Sequence, residues 1–386
     1  MLFMPSLKNL KKLSSDNDKK SALSALDANS LPNFSNLWQE IIDDSRDGWI
    51  WHTWLFHEFN HSAGEKNELY DLSFFVMDEK RAVGVVPLIV QKKPIGNYQG
   101  LEASYYGGFL PWPCFRRDLA PARMLELEDF AFTELEKRAR KAGAGHIKIM
   151  LIPPQDLGNE VERVRSIANK HRYVATTFDF HRFHIRENTL SEVRVCSRQY
   201  HRKFSPLFEF SIAEGRNVTE QVEKEYLHLH VKNAGGQFRS DDSYTKQADF
   251  ARFGEAFYVI AREKKSGKVA GMLLVNLYKN AAYYGSVAID PAFKNKQVGH
   301  LLTWRVIEEL LKRGIKTYEL GPRYINPSTL TTISTSKERG INLFKEAWAR
   351  GETRKIYEIE KFLSKDFLNS YINTLDESLV KYFGLE

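Results

Sequence analysis

One carboxylate, Glu319, stands among mostly apolar neighbours in Tyr318-Glu319-Leu320-Gly321, near the end of a predicted strand. Burial at such a place raises a carboxyl pKa toward the range useful to a general base. Pairing with a basic neighbour such as Arg323 would instead make Glu319 a structural ion-pair partner. Upstream, Tyr283 and Tyr284 are adjacent in a strand and point to opposite faces, so at most one meets a cleft. Tyr284 is the candidate acid for a leaving group, and a sheet-packing aromatic is the alternative. Between these residues lies Lys294-Asn295-Lys296-Gln297-Val298-Gly299-His300, a basic turn that opens an amphipathic helix ending at Gly314. The turn and the helix N-terminus present N–H groups to phosphate, and the strand before them presents backbone to an acyl arm. Strand, basic turn, helix and second strand, in that order over 283–324, suit an acyl donor that carries a pyrophosphate.

Two other constellations invite chemistry. His57-Glu58-Phe59-Asn60-His61 is a literal H-E-x-x-H, which on a helix puts two imidazoles on one face for zinc. No convincing third ligand follows it, and the aromatic run from Trp49 to Phe59 reads as a helix packing on a sheet. A zinc hydrolase is the alternative from another class, and the expectation is no metal. Arg194, Arg198 and Arg202 recur every four residues opposite an apolar face of Val193, Cys196, Tyr200 and Phe204 on a helix entered through Thr189-Leu190-Ser191-Glu192, a capping box. Such a stripe grips a phosphate on an acceptor or is a solvated face. Arg239, after Gly235-Gly236, and Arg323, after Gly321-Pro322, sit in predicted loops, where function concentrates.

The elements that must position these residues come in two similar sets. Arg81-Ala82-Val83-Gly84 resembles Lys268-Val269-Ala270-Gly271, and Ser104-Tyr105-Tyr106-Gly107 resembles Ala282-Tyr283-Tyr284-Gly285. The strand from Gly145 to Pro153 resembles that from Gly314 to Pro322, each preceded by a helix ending in a basic pair and glycine. Three matches in one order predict a duplicated β-β-helix-β unit. Where the second copy has Lys294 to His300, the first has Cys114 to Pro121, with no glycine to wrap a phosphate. One cofactor site, in the second half, is the expectation. The join falls near His171 to Arg186, where Phe178 to Ile185 alternates as a strand, and Lys279-Asn280 reads as a hairpin turn.

With 386 residues, two domains are expected. The predicted division is a mobile basic tail over 1–30, a first domain over 31–175 without the phosphate loop, a second over 176–362 with it, and a helical segment over 363–386. A net charge of +7 favours an anionic partner, such as a nucleotide, a phosphorylated intermediate, tRNA or an anionic membrane, and equally describes a mildly basic surface. The two cysteines, Cys114 and Cys196, make no disulfide framework, so a reducing, cytoplasmic compartment is the expectation. No apolar run approaches the length of a membrane span.

At these residues the second half resembles the GNAT acyltransferase fold. The tandem arrangement over about 35–362 is similar to the FemAB-like and BioF2-like acyltransferases. The resemblance implies an α/β chain of two tandem GNAT-like domains, each a mixed β-sheet flanked by helices. It implies an enzyme that transfers an acyl or aminoacyl group to an amine, such as a cell-envelope precursor, an amino sugar or a small amine. Acyl-CoA, another acyl thioester or aminoacyl-tRNA would be the donor. The pyrophosphate loop of the family, Arg/Gln-x-x-Gly-x-Gly/Ala, falls on Lys294, Gln297, Val298, Gly299 and His300, with Gln297 where the first glycine belongs. A backbone N–H near Ser286, Val287 and Ala288 would polarise the donor carbonyl. The segment from Gly340 to Gly351 looks like the closing helix of the family, which places a side chain against the thiol-bearing arm. Arg198, Arg202, Arg239 and Arg323 are the acceptor-binding expectation. A non-catalytic, degenerate binding protein of the same fold is the remaining alternative.

Overall fold

The computed structural model describes residues 23–63, 69–95, 98–106, 108–152, 160–323 and 336–383. Most of the basic N-terminal segment, together with Gly107 and Pro153 of the repeat, lies outside the described residues. The first half of the chain forms β1 (Leu23–Asp27), α1 (Phe34–Asp44), α2 (Trp54–Ala63), β2 (Leu69–Asp71), β3 (Phe74–Asp78), β4 (Arg81–Val86), β5 (Ile89–Ile95) and β6 (Tyr98–Ala103). It continues through β7 (Leu110–Pro111), β8 (Cys114–Phe115), α3 (Pro121–Lys141), β9 (Ala144–Leu151) and α4 (Glu160–His171). The second half forms β10 (Val174–His184), α5 (Thr189–Glu192), α6 (Val195–Phe204), β11 (Phe208–Ala213), α7 (Glu220–Ala234), α8 (Asp241–Arg252), β12 (Ala256–Glu263) and β13 (Val269–Tyr278). After these come β14 (Ala281–Ile289), α9 (Val298–Lys312), β15 (Thr317–Pro322), α10 (Ser336–Ala349), β16 (Thr353–Phe362) and α11 (Lys365–Phe383).

Strands β12 and β13 are apolar almost throughout because both faces of their sheet are covered. Val259, Leu273 and Val275 pack with Leu301, Leu302 and Val306 of α9 on one face. Their neighbours Tyr258, Ile260, Met272 and Leu274 pack with Tyr226, Tyr244 and Phe250 of α7 and α8 on the other. Period-two alternation thus feeds two cores from the same strands. Each fully buried aliphatic side chain contributes roughly 1.5–3 kcal/mol. The second of these cores also takes in Trp38, Trp49, Trp51 and Phe180, so it runs across both halves of the chain.

The sheet makes the halves inseparable. Its order is β11-β12-β13-β14-β15-β10-β16-β9-β6-β5-β2, with β7 also beside β9, while β1-β3-β4-β8 forms a smaller sheet. Strand β10 comes directly after α4, the last helix of the first half, yet pairs with β15, and β16, the last strand of the second half, pairs with β9. The two exchanged strands pair antiparallel with each other, from Val174 opposite Glu360 to His181 opposite Thr353.

The repeat is visible in matching glycines. A Cβ at Gly84 would stand 2.4 Å from the Phe115 ring, and one at Gly271 would stand 2.7 Å from Val298 Cγ1. In each copy the missing side chain lets a neighbouring segment close onto the strand. The copies differ at their parallel pairs. In the second half, β14 and β15 pair only from Ala281–Tyr283 to Thr317–Glu319 and then splay. In the first half, β6 runs beside β9, and β7 then pairs with Ile149 and Met150 of the same strand. The wedge that stays open in one copy is filled by β7 in the other.

One local expectation is corrected. Thr189 to Glu192 does not open a long capped helix. Thr189 Oγ1 accepts the Arg186 N–H at 2.7 Å, α5 ends after one turn, and α6 starts afresh with Arg194 as its N-cap. The buried residue of α6 is Ser197, with Cys196, Tyr200 and Phe204 only half-buried.

Candidate functional site

Strand β14 carries one residue more than its partner. Leu274 pairs with Ser286 and Val275 with Tyr284, which leaves Gly285 as a β-bulge. Glycine is required there, because a Cβ would stand 2.3 Å from Asn276 Oδ1 and 3.1 Å from the Leu274 carbonyl. The bulge follows directly on the end of pairing with β15. Beyond Tyr283, therefore, one edge of β14 has no strand against it among the described residues.

Gly285 and Ser286 form part of the wall of a cavity of about 440 Å³ between the halves. The first half supplies Trp51, Phe56, Phe59, Asn60, Tyr105, Tyr106 and Phe109. The second supplies Phe180, His230, Phe238, Arg239, Gln247, Phe250, Leu274, Asn276, Tyr283 and Pro322. Among these lining residues Arg239 is the one formal cation, and no carboxylate or lysine is present. Hydrogen bonds tie the two halves together around the opening. Tyr106 donates its hydroxyl to the Phe238 carbonyl at 2.8 Å, and Ser240 Oγ donates to the Ser62 carbonyl at 2.6 Å.

A chain of polar contacts runs along the wall to the bulge. Arg239 Nη2 donates to Gln247 Oε1 at 2.9 Å, the Gln247 side chain also meets the Tyr226 hydroxyl, and Tyr226 donates to Ser286 Oγ at 2.6 Å. The Arg239 guanidinium lies 4.3 Å from the Tyr244 ring centroid and 5.3 Å from that of Phe59. His230 Nδ1 shares a 2.9 Å hydrogen bond with the Tyr244 hydroxyl. Burial, with the nearby charge of Arg239, pushes the His230 pKa down to about 4, so its imidazole is neutral at physiological pH.

The basic turn folds as a 3-10 segment over Pro291–Lys296, with Lys294 exposed. Gln297 adopts φ 54° and ψ 36°, the left-handed conformation that a glycine takes without strain, and α9 starts at the next residue. The residue that departs from the loop pattern thus keeps a glycine-like turn. A Cβ at Gly299 would stand 3.3 Å from Ile289 and 3.6 Å from Phe344, so larger side chains crowd this position. Val298 and Ala288 are buried in the core, and Val287 is half-buried on β14. The His300 ring packs against Tyr200, Phe344 and Trp348, with Nδ1 3.3 Å from Ser197 Oγ. Burial lowers its pKa to about 4, so the ring is a neutral packing element and not a cation for phosphate.

Several expected residues stand elsewhere. Glu319 does not line the cavity. Arg354 Nε of β16 lies 2.9 Å from its Oε1 and Arg182 Nε of β10 lies 3.6 Å away, a buried ion pair across exchanged strands. The isolated carboxylate is a structural partner, although of Arg354 and not of Arg323. Tyr284 takes the opposite face from Tyr283 and packs near Tyr318 and Phe344, where burial pushes its hydroxyl pKa up. Arg198 Nη1 turns back to the Ser191 carbonyl, Arg202 is exposed on α6, and Arg323 lies near Asp179 and Glu346. Of the four arginines, only Arg239 meets the cavity. The H-E-x-x-H segment lies on α2, with His57 buried between Tyr105 (2.9 Å) and Asp71 (2.8 Å) and His61 exposed. Burial would raise the Asp71 carboxyl, but its contacts with His57 outweigh that and hold it well below the usual range. No metal-binding group of His, Cys, Asp and Glu occurs among the described residues.

Residues that were not anticipated include Tyr226, His230, Gln247, Asn276 and Gly285. Asn276 is the one amide in the apolar run of β13, and Gly285 interrupts a strand pattern, a signal for a bulge. Lys345 of α10 is a further one. Its pKa is lowered to about 8 by burial, and its Nζ stands 3.2 Å from where a Gly321 Cβ would be.

Comparison with known proteins agrees with this fold. Residues 244–326, which span α8 to β15, match the model of a GNAT acetyltransferase domain. Similar solved structures include FemX, at 12% identity and TM-score 0.59, covering 87% of this chain and 97% of that one. A tandem GNAT protein from the clavulanic acid biosynthesis pathway gives 11% identity and TM-score 0.54, covering 89% and 99%. L-PGS from Bacillus licheniformis gives 10% identity and TM-score 0.51, covering 86% and 92%. At such identities the likeness is one of fold. No curated protein matches the sequence. No helix among the described residues is long and apolar enough to cross a membrane.

Proposed function

We infer that this chain, which carries a GNAT acetyltransferase domain within a tandem GNAT fold, transfers an acyl or aminoacyl group to an amine at the Gly285 bulge. The observation that carries this reading is the coincidence of three features on β14. The strand is bulged at Gly285, its edge opens there by separation from β15, and the bulge and Ser286 line the cavity between the halves.

In this reading the donor lies along the open edge of β14, with its phosphates toward the first turn of α9. Lys294 and the backbone around Gln297, Val298 and Gly299 would hold them, since Gln297 keeps a left-handed turn at the start of α9 and the first N–H groups of a helix have no partner within it. Acyl-CoA is the donor favoured by this loop. Aminoacyl-tRNA, the donor that the resemblance to FemAB-like acyltransferases implies, is the second donor to test. The acceptor enters the aromatic cavity.

The step is a displacement. The amine nitrogen attacks the donor carbonyl carbon, the oxygen takes up charge facing backbone N–H groups of β14, and the bond to sulfur (or to the ester oxygen of a charged tRNA) breaks. One proton leaves the amine and one reaches the leaving group. Among the lining side chains His230 alone is a base that is free of its proton near neutral pH, so we assign it the amine proton. Arg239 nearby disfavours an ammonium ion and so keeps the amine in its reactive form.

The test is a donor panel of acetyl-CoA, longer acyl-CoAs, acyl-carrier protein and charged tRNA, scored by stabilisation of the folded chain. Stabilisation by an acyl-CoA that is lost in Gly299→Glu supports the reading. A folded chain that responds to none of these donors overturns it.

A further inference from the structure

The cavity has an unusual balance of chemistry for a site that accepts an amine. Ten of its lining side chains are aromatic, one is a guanidinium, and none is a carboxylate. A site built to attract ammonium ions would be expected to offer negative charge. This one offers a single positive charge held half-buried between two rings, Phe59 and Tyr244. Of the five N–H donors of Arg239, one is directed to Gln247, and no carboxylate stands within ion-pair distance of it among the described residues. A desolvated guanidinium is worth most when it meets an oxyanion, and its planar fork matches a carboxylate in two parallel hydrogen bonds. One cation balances one carboxylate; a phosphate monoester or pyrophosphate would leave charge unmatched in an apolar cavity.

The body of the ligand follows from the walls. Trp51, Phe109 and Tyr283 form a cluster with ring centroids 4.5 and 5.5 Å from Trp51, a surface suited to a flat apolar group. A volume of about 440 Å³ suits a small molecule.

We propose that the acceptor is an amine that carries one carboxylate and a flat apolar body, of which an aromatic amino acid is the simplest member, with Arg239 as the residue that selects the carboxylate. The amine part of this proposal rests on the acyl-transfer reading; the carboxylate and aromatic parts rest on the cavity alone. Arg239 is thereby a specificity residue, linked to the reacting strand through Gln247, Tyr226 and Ser286.

The experiment is calorimetry on the full chain without any donor, using L-phenylalanine, 3-phenylpropionate, 2-phenylethylamine and phenyl phosphate. Phenylalanine and phenylpropionate are expected to bind, with phenylethylamine about ten- to a hundredfold weaker, the loss appropriate to a missing charge-assisted contact. In Arg239→Gln the preference between phenylalanine and phenylethylamine should disappear, and Arg239→Lys should recover part of it. The unfolding transition of each variant checks that the cavity is still formed. Equal binding of phenylethylamine, tighter binding of phenyl phosphate, or binding of none of the four overturns the proposal. Carboxylate-selective binding without acyl transfer from any donor would sink the transferase reading, and with it the amine part, and leave the carboxylate and aromatic parts standing. Acyl transfer with no preference for carboxylate-bearing amines would do the reverse.

Discussion

Tyr226 donates a 2.6 Å hydrogen bond to Ser286 Oγ, on the residue that directly follows the bulged Gly285. A buried phenol from α7 therefore fixes the serine hydroxyl of β14 at the point where the strand turns toward the cavity. Tyr226→Phe should cost about 0.5–1.5 kcal/mol of stability. It should lower kcat while leaving donor KM unchanged, because the donor phosphates are held elsewhere. Urea unfolding and steady-state kinetics with varied donor check both halves of this expectation.

Gly285→Ala places a methyl group 2.3 Å from Asn276 Oδ1. Overpacking of this kind costs about 1–3 kcal/mol, and here it also deforms the bulge that carries the reacting backbone. Stability should fall by that amount, and turnover should be lost. Adding Asn276→Ala should recover stability but not turnover, which separates the fold from the chemistry.

Glu319→Gln is expected to behave as a stability mutation. It removes the carboxylate charge that stands 2.9 Å from Arg354, which is almost fully buried. Breaking a buried pair from one side costs about 3–5 kcal/mol. The midpoint of denaturation should drop sharply, while the activity of the fraction still folded stays close to that of the parent. A variant of normal stability and abolished activity would restore Glu319 as a base.

These two residues show what could be read from the sequence and what could not. The duplicated units and the β14–α9–β15 order were legible because strand glycines, apolar periodicity and the basic turn are local patterns. Glu319 stands out locally as a carboxylate among apolar neighbours, but its ion-pair partner Arg354 arrives from β16, an exchanged strand that no local pattern announces. The same exchange hides the cavity. Trp51 and Phe109 look like ordinary core aromatics until the two halves are joined, and His230 looks like one more residue of an amphipathic helix. Arg239 could be singled out because it follows glycines in a loop, whereas Arg198 and Arg202 share a regular stripe that a solvated face also produces.

His230→Ala should reduce kcat/KM by about 10²–10⁴-fold, the usual range for loss of a general base. With its pKa near 4, the imidazole is free of its proton throughout pH 6–8, so His230 contributes no inflection there and loses its role as pH falls toward 4. A pH–rate profile of parent and variant is the check. An inflection near pH 6.5 that vanishes in the variant would contradict the buried, neutral assignment.

Stability should also fall in acid. His52 accepts the Trp49 N–H at Nδ1 and donates from Nε2 to the Trp112 carbonyl, a pattern that fits only the neutral ring. Burial lowers its pKa, like that of His300, to about 4. The unfolded chain, with histidines near 6.5, then binds more protons between about pH 4 and 6.5. The contribution is complete above that window and is lost as pH falls through it, by about 2 kcal/mol for His52 alone at pH 5. Urea midpoints at pH 7 and pH 5 measure the difference.

In the proposed complex the donor lies along the open edge of β14 and reaches the first turn of α9. Hydrogen–deuterium exchange of the full chain with and without acetyl-CoA tests it most directly. Slowed exchange is expected at backbone amides within 284–289 and 298–300, with both effects absent in Gly299→Glu. Binding of acetyl-CoA that protects other segments and leaves these two unchanged would contradict it.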